Sequence, residues 1–145
     1  MFVERLLPTA RSRLVTLADD EPLVEAAKLL HTGTDLVVVC GSAGIFAGVI
    51  TRTDIVSQIS RCHGAGCITA VSLAMTRDVV LCRPGDLLHD VWVRMKERGL
   101  KNIPVADQDL RPLGVLNALD ILQVLLKESE DEEAMLRDYV MGVGY

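Results

Sequence analysis

Aromatic residues are scarce in this chain: one Trp, two Tyr and two Phe make up 3% of 145 residues, while apolar residues as a class reach 50%. A core must therefore be filled by Val, Leu, Ile and Ala. Long apolar runs are missing too. None reaches the ~18 residues a membrane span requires, and the stretch from Leu113 to Leu126 is broken by Asn117, Asp120 and Gln123. The N-terminal Met1-Phe-Val-Glu-Arg carries an acid and meets Pro8 before any long apolar stretch, so no signal peptide is read and a cytoplasmic protein is expected. Positive charge is in deficit, with 15 Lys and Arg against 20 Asp and Glu and a net charge of −5. That balance argues against a nucleic acid held by bulk electrostatics, while leaving room for a local basic pocket for one phosphate. Catalytic patterns are lacking as well: there is no Gly-rich phosphate loop, nucleophile elbow or HExxH. His31 and His89 have no acid and nucleophile at persuasive spacing, so the expectation is no catalytic residue, no enzyme and no required cofactor.

Cysteine is limited to Cys40, Cys62, Cys67 and Cys82. Without an export signal these are expected to be reduced. Cys40 and Cys82 end apolar runs and read as core residues. Cys62-His63-Gly-Ala-Gly-Cys67 gathers two thiols and an imidazole, which defines a metal or redox alternative. A fourth ligand is not evident and the spacing matches no zinc pattern, so a flexible inter-repeat linker is the simpler reading.

What the chain does have is duplication. Gly48-Val-Ile-Thr-Arg-Thr-Asp54 recurs as Gly114-Val-Leu-Asn-Ala-Leu-Asp120, 66 residues on, and Gly33 pairs with Gly99 at the same offset. The run Leu36 to Val39 pairs with Asn102 to Val105. Each copy is too small to bury a good core alone, so the two are expected to pack about a pseudo-twofold axis with ligand clefts between them.

Each copy reads β-α-β-β-α, an α/β (α+β) arrangement. In the first, Leu14–Leu17 is a strand, Asp20-Glu21-Pro22 starts a helix that Gly33 closes, Asp35–Cys40 and Ile45–Ile50 are strands, and a second helix runs from about Thr51 to Ser60. In the second, Val79–Cys82 is a strand, Asp86 caps a helix carrying Leu87, Val91 and Met95 that ends at Gly99, Ile103–Ala106 and Leu113–Leu116 are strands, and Asn117–Lys127 closes the repeat. Short helical stubs, Val3–Leu7 and Val71–Met75, precede the copies. Trp92 reads as packing. The acid run Glu128–Glu133 suits the first turn of a separate last helix. The domains expected are therefore 3–60, a linker 61–70, 71–127, and an acidic C-terminal helix and tail 128–145.

The chemistry gathers where the third strand of each copy meets its second helix. Thr51-x-x-Asp54 is a capping-box pattern, which by itself only starts a helix. The same helix start offers unpaired N–H groups to a phosphate, and a carboxylate one turn in can accept from the paired hydroxyls of a ribose.

The doubled plan, each copy ending in Gly-Val-apolar-[Thr/Asn]-x-x-Asp-Ile, resembles the CBS domain family in the paired arrangement called a Bateman module, over roughly residues 3 to 127. Met75-Thr-Arg-Asp-Val-Val80 and Gly99-Leu-Lys-Asn-Ile-Pro-Val105 resemble further parts of such pairs. The resemblance implies a regulatory sensor, a stand-alone pair, binding AMP, ADP, ATP, NAD or S-adenosylmethionine between the repeats, with a homodimer as the assembly. It implies one cleft in which Thr51 and Asp54 face Thr76, Val79, Val80, Lys101, Asn102, Ile103 and Pro104. Asp54 would hold the ribose diol, Thr51 the sugar or phosphate, and Lys101 the phosphate charge, with Val80, Ile103 and Pro104 around adenine. Arg52 and Arg77 are further phosphate candidates.

The pseudo-equivalent cleft departs from that pattern. Asn117 replaces the hydroxyl residue near Asp120, and Asp35 stands where the first cleft has Lys101. Its wall, Val15 with Leu36, Val37 and Val38, remains apolar, and this second cleft is expected to be weaker, empty or suited to a less charged ligand. Two other readings stay open: a ligand-independent dimerisation or docking module using Leu136, Tyr139 and Val140 of the last helix, and the Cys62, His63, Cys67 metal or redox sensor. With no effector domain on the chain, a sensor would act on a separate partner protein.

Overall fold

A computed structural model describes residues 1–31, 33–61 and 68–142. The first repeat holds three strands in one sheet: β1 (Thr16–Ala18) parallel to β2 (Leu36–Cys40), which is antiparallel to β3 (Phe46–Thr51). The second holds the hairpin β4 (Asn102–Ala106) and β5 (Pro112–Asn117). Val38 pairs with Val49 and Pro104 with Val115, and both hairpins carry a register break at matching places, after Val39 and after Val105. Helices α2 (Leu23–Leu29) and α3 (Arg52–Arg61) cover the first sheet, and α5 (Leu88–Arg98) and α6 (Ala118–Gly142) the second. Alternation along the strands sorts their side chains. Val37, Val39 and Ile50 enter one core and Ile103, Val105 and Leu116 the other, while Val38, Val49, Pro104 and Val115 are buried on the opposite faces.

The stubs do not pack where their position in the chain suggests. The 3₁₀ turn Val3–Leu6 and helix α1 (Leu7–Ser12) send Val3, Leu6 and Ala10 into the core of the second repeat. Helix α4 (Val71–Ala74) sends Val71, with Met75, into the first. Backbone hydrogen bonds fix each crossing. Val3 N–H donates to Asp86 O and Leu88 N–H to Met1 O, both at 2.9 Å, while Leu23 N–H donates to Thr69 O at 2.7 Å and Val71 N–H to Glu21 O at 2.8 Å. The repeated glycines are explained by this exchange. A Cβ on Gly114 would lie 2.6 Å from the carbonyl carbon of Ala10, and one on Gly48 would lie 2.6 Å from Thr76 O. Only glycine lets the exchanged segment lie flat on the hairpin.

Several local expectations are corrected. Val79–Cys82 forms no strand: Cys82 makes a single parallel bridge to Val105, and the chain then turns, with Asp86 N–H donating to Arg83 O at 3.0 Å. Asp86 does not cap α5; its carboxylate accepts from Arg83 N–H at 2.9 Å and from the Arg94 guanidinium at 3.2 Å. Gly99 closes α5 in the left-handed region, at φ +65°. Gly33 does not close α2, which ends at Leu29 with Leu30 as its cap; Gly33, at φ +95°, shapes the later turn into β2. The acid run does not begin a new helix but lies inside α6. No Gly or Pro interrupts the chain between Ala118 and Met141, and the one-turn ion pairs Lys127–Asp131 and Arg137–Glu133, each 3.3 Å, span the acidic segment. Trp92 packs against the second core, as expected of it.

Cys82 is fully buried in the second core, and burial pushes its thiol up to about 12. Since the thiolate is the reactive form, native protein at pH 8 should leave Cys82 unmodified by iodoacetamide, and denatured protein should not; mass mapping of the alkylated peptide distinguishes the two. Gly114→Ala should destabilise by about 1–3 kcal/mol through overpacking. Gly85→Ala, where a Cβ meets nothing within 4 Å, should stay within about 0.5 kcal/mol of wild type, as surface changes usually do. Urea unfolding of the two variants reads the contrast.

Candidate functional site

At the start of α3, the Asp54 carboxylate turns back on its own helix end. Its Oδ2 accepts from Thr51 N–H at 3.0 Å and from Thr51 Oγ1 at 3.2 Å, which is the acidic half of a capping box. Its Oδ1 accepts from Thr76 Oγ1 at 2.9 Å. Thr76 arrives there because the exchanged segment pairs with β3, donating to and accepting from the backbone of Val49 at 2.8 and 2.9 Å. All three donors are neutral and no cation pairs with Asp54 in these contacts. A carboxylate has about four lone-pair positions, so capacity remains for further donors.

Two hollows flank this cluster. One, of about 560 Å³, is lined by Asp35, Leu36, Thr51, Arg52 and Thr53 from the first repeat and by Gly99, Leu100, Lys101 and Asn102 from the second. The other, of about 250 Å³, is lined by Asp54, Ser57, Gln58 and Arg61 of α3 and by Leu73 to Thr76. Thr51 and Asp54, bonded to each other, stand between them. The larger hollow is the size of small-molecule sites.

The sequence-derived first cleft is therefore partly assembled. Thr51, Lys101 and Asn102 share the larger hollow, and Asp54 and Thr76 the smaller. Ile103 is 0% exposed within the second core, so its side chain does not face the groove, while Val80 packs against that core and is half-buried. The reason is strand alternation: Asn102 and Pro104 take the outward face, so Ile103 between them must point inward. Pro104 is buried on that outward face, and Val79 is half-buried. Arg52 is tied down rather than poised for phosphate, donating to Asp35 Oδ1 at 2.9 Å, His31 O at 2.7 Å and Thr34 O at 3.1 Å. Asp35 is thus already compensated. Arg77 donates to Ser72 O at 3.1 Å. Gln58 and Arg61 were not singled out in the sequence, although they follow Asp54 by four and seven residues, the spacing that places side chains on one helix face.

The second cleft is different. Asn117 Oδ1 accepts from Leu119 N–H at 2.9 Å, so Asn117 caps α6 itself, and its Nδ2 donates to Asn102 Oδ1 at 3.1 Å. Asp120, released from capping, is held by Arg13 at 2.7 and 3.1 Å. That hydrogen bond and the Asp120 charge raise the Arg13 guanidinium above its ordinary value, against a smaller opposing effect of burial. Leu36 and Asn117 line what remains, a hollow of about 20 Å³. Val37 is buried in the first core and Val15 packs against it, while Val38 is buried on the opposite face. The Cys62, His63 and Cys67 cluster lies outside the described residues, as do residues 143–145 and the side chain of Tyr139. Among the described residues no cluster of His, Cys, Asp and Glu could hold a metal, and no helix is long and apolar enough to cross a membrane. His31 and His89 are both exposed.

Comparison with known proteins places this geometry. The chain is 26% identical over 135 residues to the choline transport ATP-binding protein OpuBA of Bacillus subtilis, covering 92% of this chain and 34% of that protein. It spans about a third or less of the length of the curated relatives it matches. Among solved structures, the CBS-domain containing protein ATU1752 from Agrobacterium tumefaciens superposes with a TM-score of 0.70 at 29% identity, covering 84% of this chain and 91% of that one. The CBS domain pair of protein MJ0100, solved in complex with 5′-methylthioadenosine and S-adenosyl-L-methionine, superposes with a TM-score of 0.71 at 20% identity, covering 88% and 98%. The CBS domain profile matches residues 3–61 and again 68–127. With both repeats matched and the two hairpins related as the duplication requires, the chain belongs to the CBS domain family and is built as a CBS pair.

Proposed function

We propose that this pair is a regulatory module that binds an adenosine-containing ligand, of the AMP, ADP, ATP or NAD type, at the Thr51–Asp54 cluster. The observation that carries this reading is Asp54: a carboxylate held, among the described residues, by neutral donors at a helix start, facing an exchanged threonine and lying beside a groove rimmed by Lys101 of the other repeat. A ribose diol has the two donors that such a carboxylate accepts, and Lys101 with the α3 N-terminus suits a phosphate. The ligands of the MJ0100 pair contain adenosine, which favours the same class here. The module performs no chemistry. A ligand touching both repeats stabilises the arrangement in which both contacts are made, and shifts it only by its differential affinity. The output passes to a separate partner protein, and the cytoplasm is the compartment where these ligands and reduced thiols coincide.

The test is thermal stability with millimolar AMP, ADP, ATP, NAD or S-adenosylmethionine. A ligand at a hundred times its Kd should add about 2.7 kcal/mol. Asp54→Ala should abolish the ligand-dependent gain, whatever it does to basal stability. Lys101→Ala should weaken AMP at least tenfold while leaving adenosine nearly unchanged; no gain with any ligand would remove the reading.

A docking or dimerisation role has its own observation. Val56 and Ile59 on α3 are 65% and 60% exposed, and Leu119, Leu136 and Val140 on α6 are 67%, 66% and 72% exposed. Apolar surface at this density belongs to an interface, and a homodimer is the occupant we propose. Light scattering should give twice the chain mass, falling to the single-chain mass in Val56→Glu/Ile59→Glu; a single-chain mass for wild type sinks the proposal.

A further inference from the structure

The two site acids are treated in opposite ways by the exchanged segments, and the difference falls on one residue. Thr76, at the end of the segment crossing into the first repeat, gives Asp54 a single neutral hydroxyl at 2.9 Å. Arg13, following α1 in the segment that crosses into the second repeat, gives Asp120 a full positive charge. Its Nε donates to Oδ2 at 2.7 Å and its Nη2 to Oδ1 at 3.1 Å, so both carboxylate oxygens are engaged. The forked geometry matches the fork of a guanidinium to that of a carboxylate. Arg13 also lines the hollow between Leu36 and Asn117, which measures about 20 Å³, against about 560 Å³ on the Lys101 side. A space of that size holds about one water and no nucleoside.

We propose that Arg13 is a gate: a built-in cation that occupies Asp120 in place of a ligand and closes the second cleft, so that the CBS pair takes one adenosine ligand per chain. The proposal rests on the adenosine reading given above. A ribose diol entering the second cleft needs the oxygens that Arg13 holds and the volume that its side chain fills. The gate is not welded shut. The Arg13 side chain is 39% exposed and can swing into solvent, and the Asp120 side chain, 19% exposed with Arg13 in place, gains access to water or a ligand as it leaves. Removing it leaves Asp120 without its cation, a carboxylate beside a helix start that Asn117 already caps, with both oxygens open to a donor. Asp35 stays neutralised by Arg52, so the opened cleft is not strongly repulsive to an anion.

The test is binding stoichiometry by titration calorimetry with each of AMP, ADP, ATP, NAD and S-adenosylmethionine, on wild type, Arg13→Ala and Arg13→Ala/Asp120→Ala. Wild type should take one ligand per chain. Arg13→Ala should take two, the second site gaining at least tenfold in affinity, and the double variant should return to one. Arg13→Lys, which keeps the charge but loses the fork, should lie between wild type and Arg13→Ala in second-site affinity. One ligand per chain in both wild type and Arg13→Ala, or two in wild type, overturns the gate while the adenosine reading stands. Binding by neither protein overturns the adenosine reading and the gate with it.

Discussion

The exchange of leading segments is the constraint on which the rest of this molecule depends. Without Val3, Leu6 and Ala10 the second repeat lacks one wall of its core, and without Val71 and Met75 the first does. Each repeat is therefore completed by chain that belongs, in sequence, to the other. The cost is a backbone-to-backbone contact with no room for a side chain, and Gly48 and Gly114 exist to satisfy it. Close-packed cores do not deform smoothly, so each repeat and its borrowed segment behave as a fixed unit.

The same exchange decides the electrostatics of both clefts. Residues at the ends of the borrowed segments arrive beside the acids that start α3 and α6, and the acids themselves sit one turn into equivalent helices. Pseudo-symmetry would make the sites alike. Two substitutions at equivalent positions undo it: Thr51 against Asn117 changes which group caps the helix, and Lys101 against Asp35 changes the charge across the groove; in addition Asp120 meets Arg13 where Asp54 meets Thr76, from a non-equivalent position of the exchanged segment. The capping difference is the least conspicuous and has the widest consequence. Because Asn117 satisfies the α6 end by itself, Asp120 need not turn back on its helix and is available to an outside cation.

Much of this was legible in one dimension. The 66-residue offset gave the pair of units, the two hairpins with their following helices and the two helix-start acids, because duplication repeats every local signal and so doubles its weight, but not the loss of the Val79–Cys82 strand. The pairing of Asp54 with Thr76 and of Thr51 with Lys101 across the repeats followed only from the family resemblance. What could not be read was anything decided by which face a strand turns inward. Val37 lies between Leu36 and Val38, so nothing local says that it points into the core. The Arg13–Asp120 pair joins residues 107 apart and depends on the segment crossing, which no periodicity records. The continuity of α6 was hidden by a different ambiguity: acids are equally at home in a first turn and on the solvent face of a long helix.

These fixed and free parts also limit how a signal could leave the cleft. Thr76 is locked to Val49 by two backbone bonds and backed by Gly48, so a ligand drawing on Asp54 cannot move Thr76 relative to the first sheet. The contacts between repeats at the far end are lighter: Phe46 N–H to Leu110 O at 2.8 Å and the Arg111 guanidinium to Ala43 O at 3.4 Å. Ala43 and Leu110 both hold φ +61° in these turns, a conformation that costs non-glycine residues energy and is kept only by surrounding contacts. The two hairpins are thus joined at the Ala43–Leu110 end and leave a groove between Thr51 and Lys101. A ligand in the proposed site would fill that groove and so bear directly on the spacing of the hairpins.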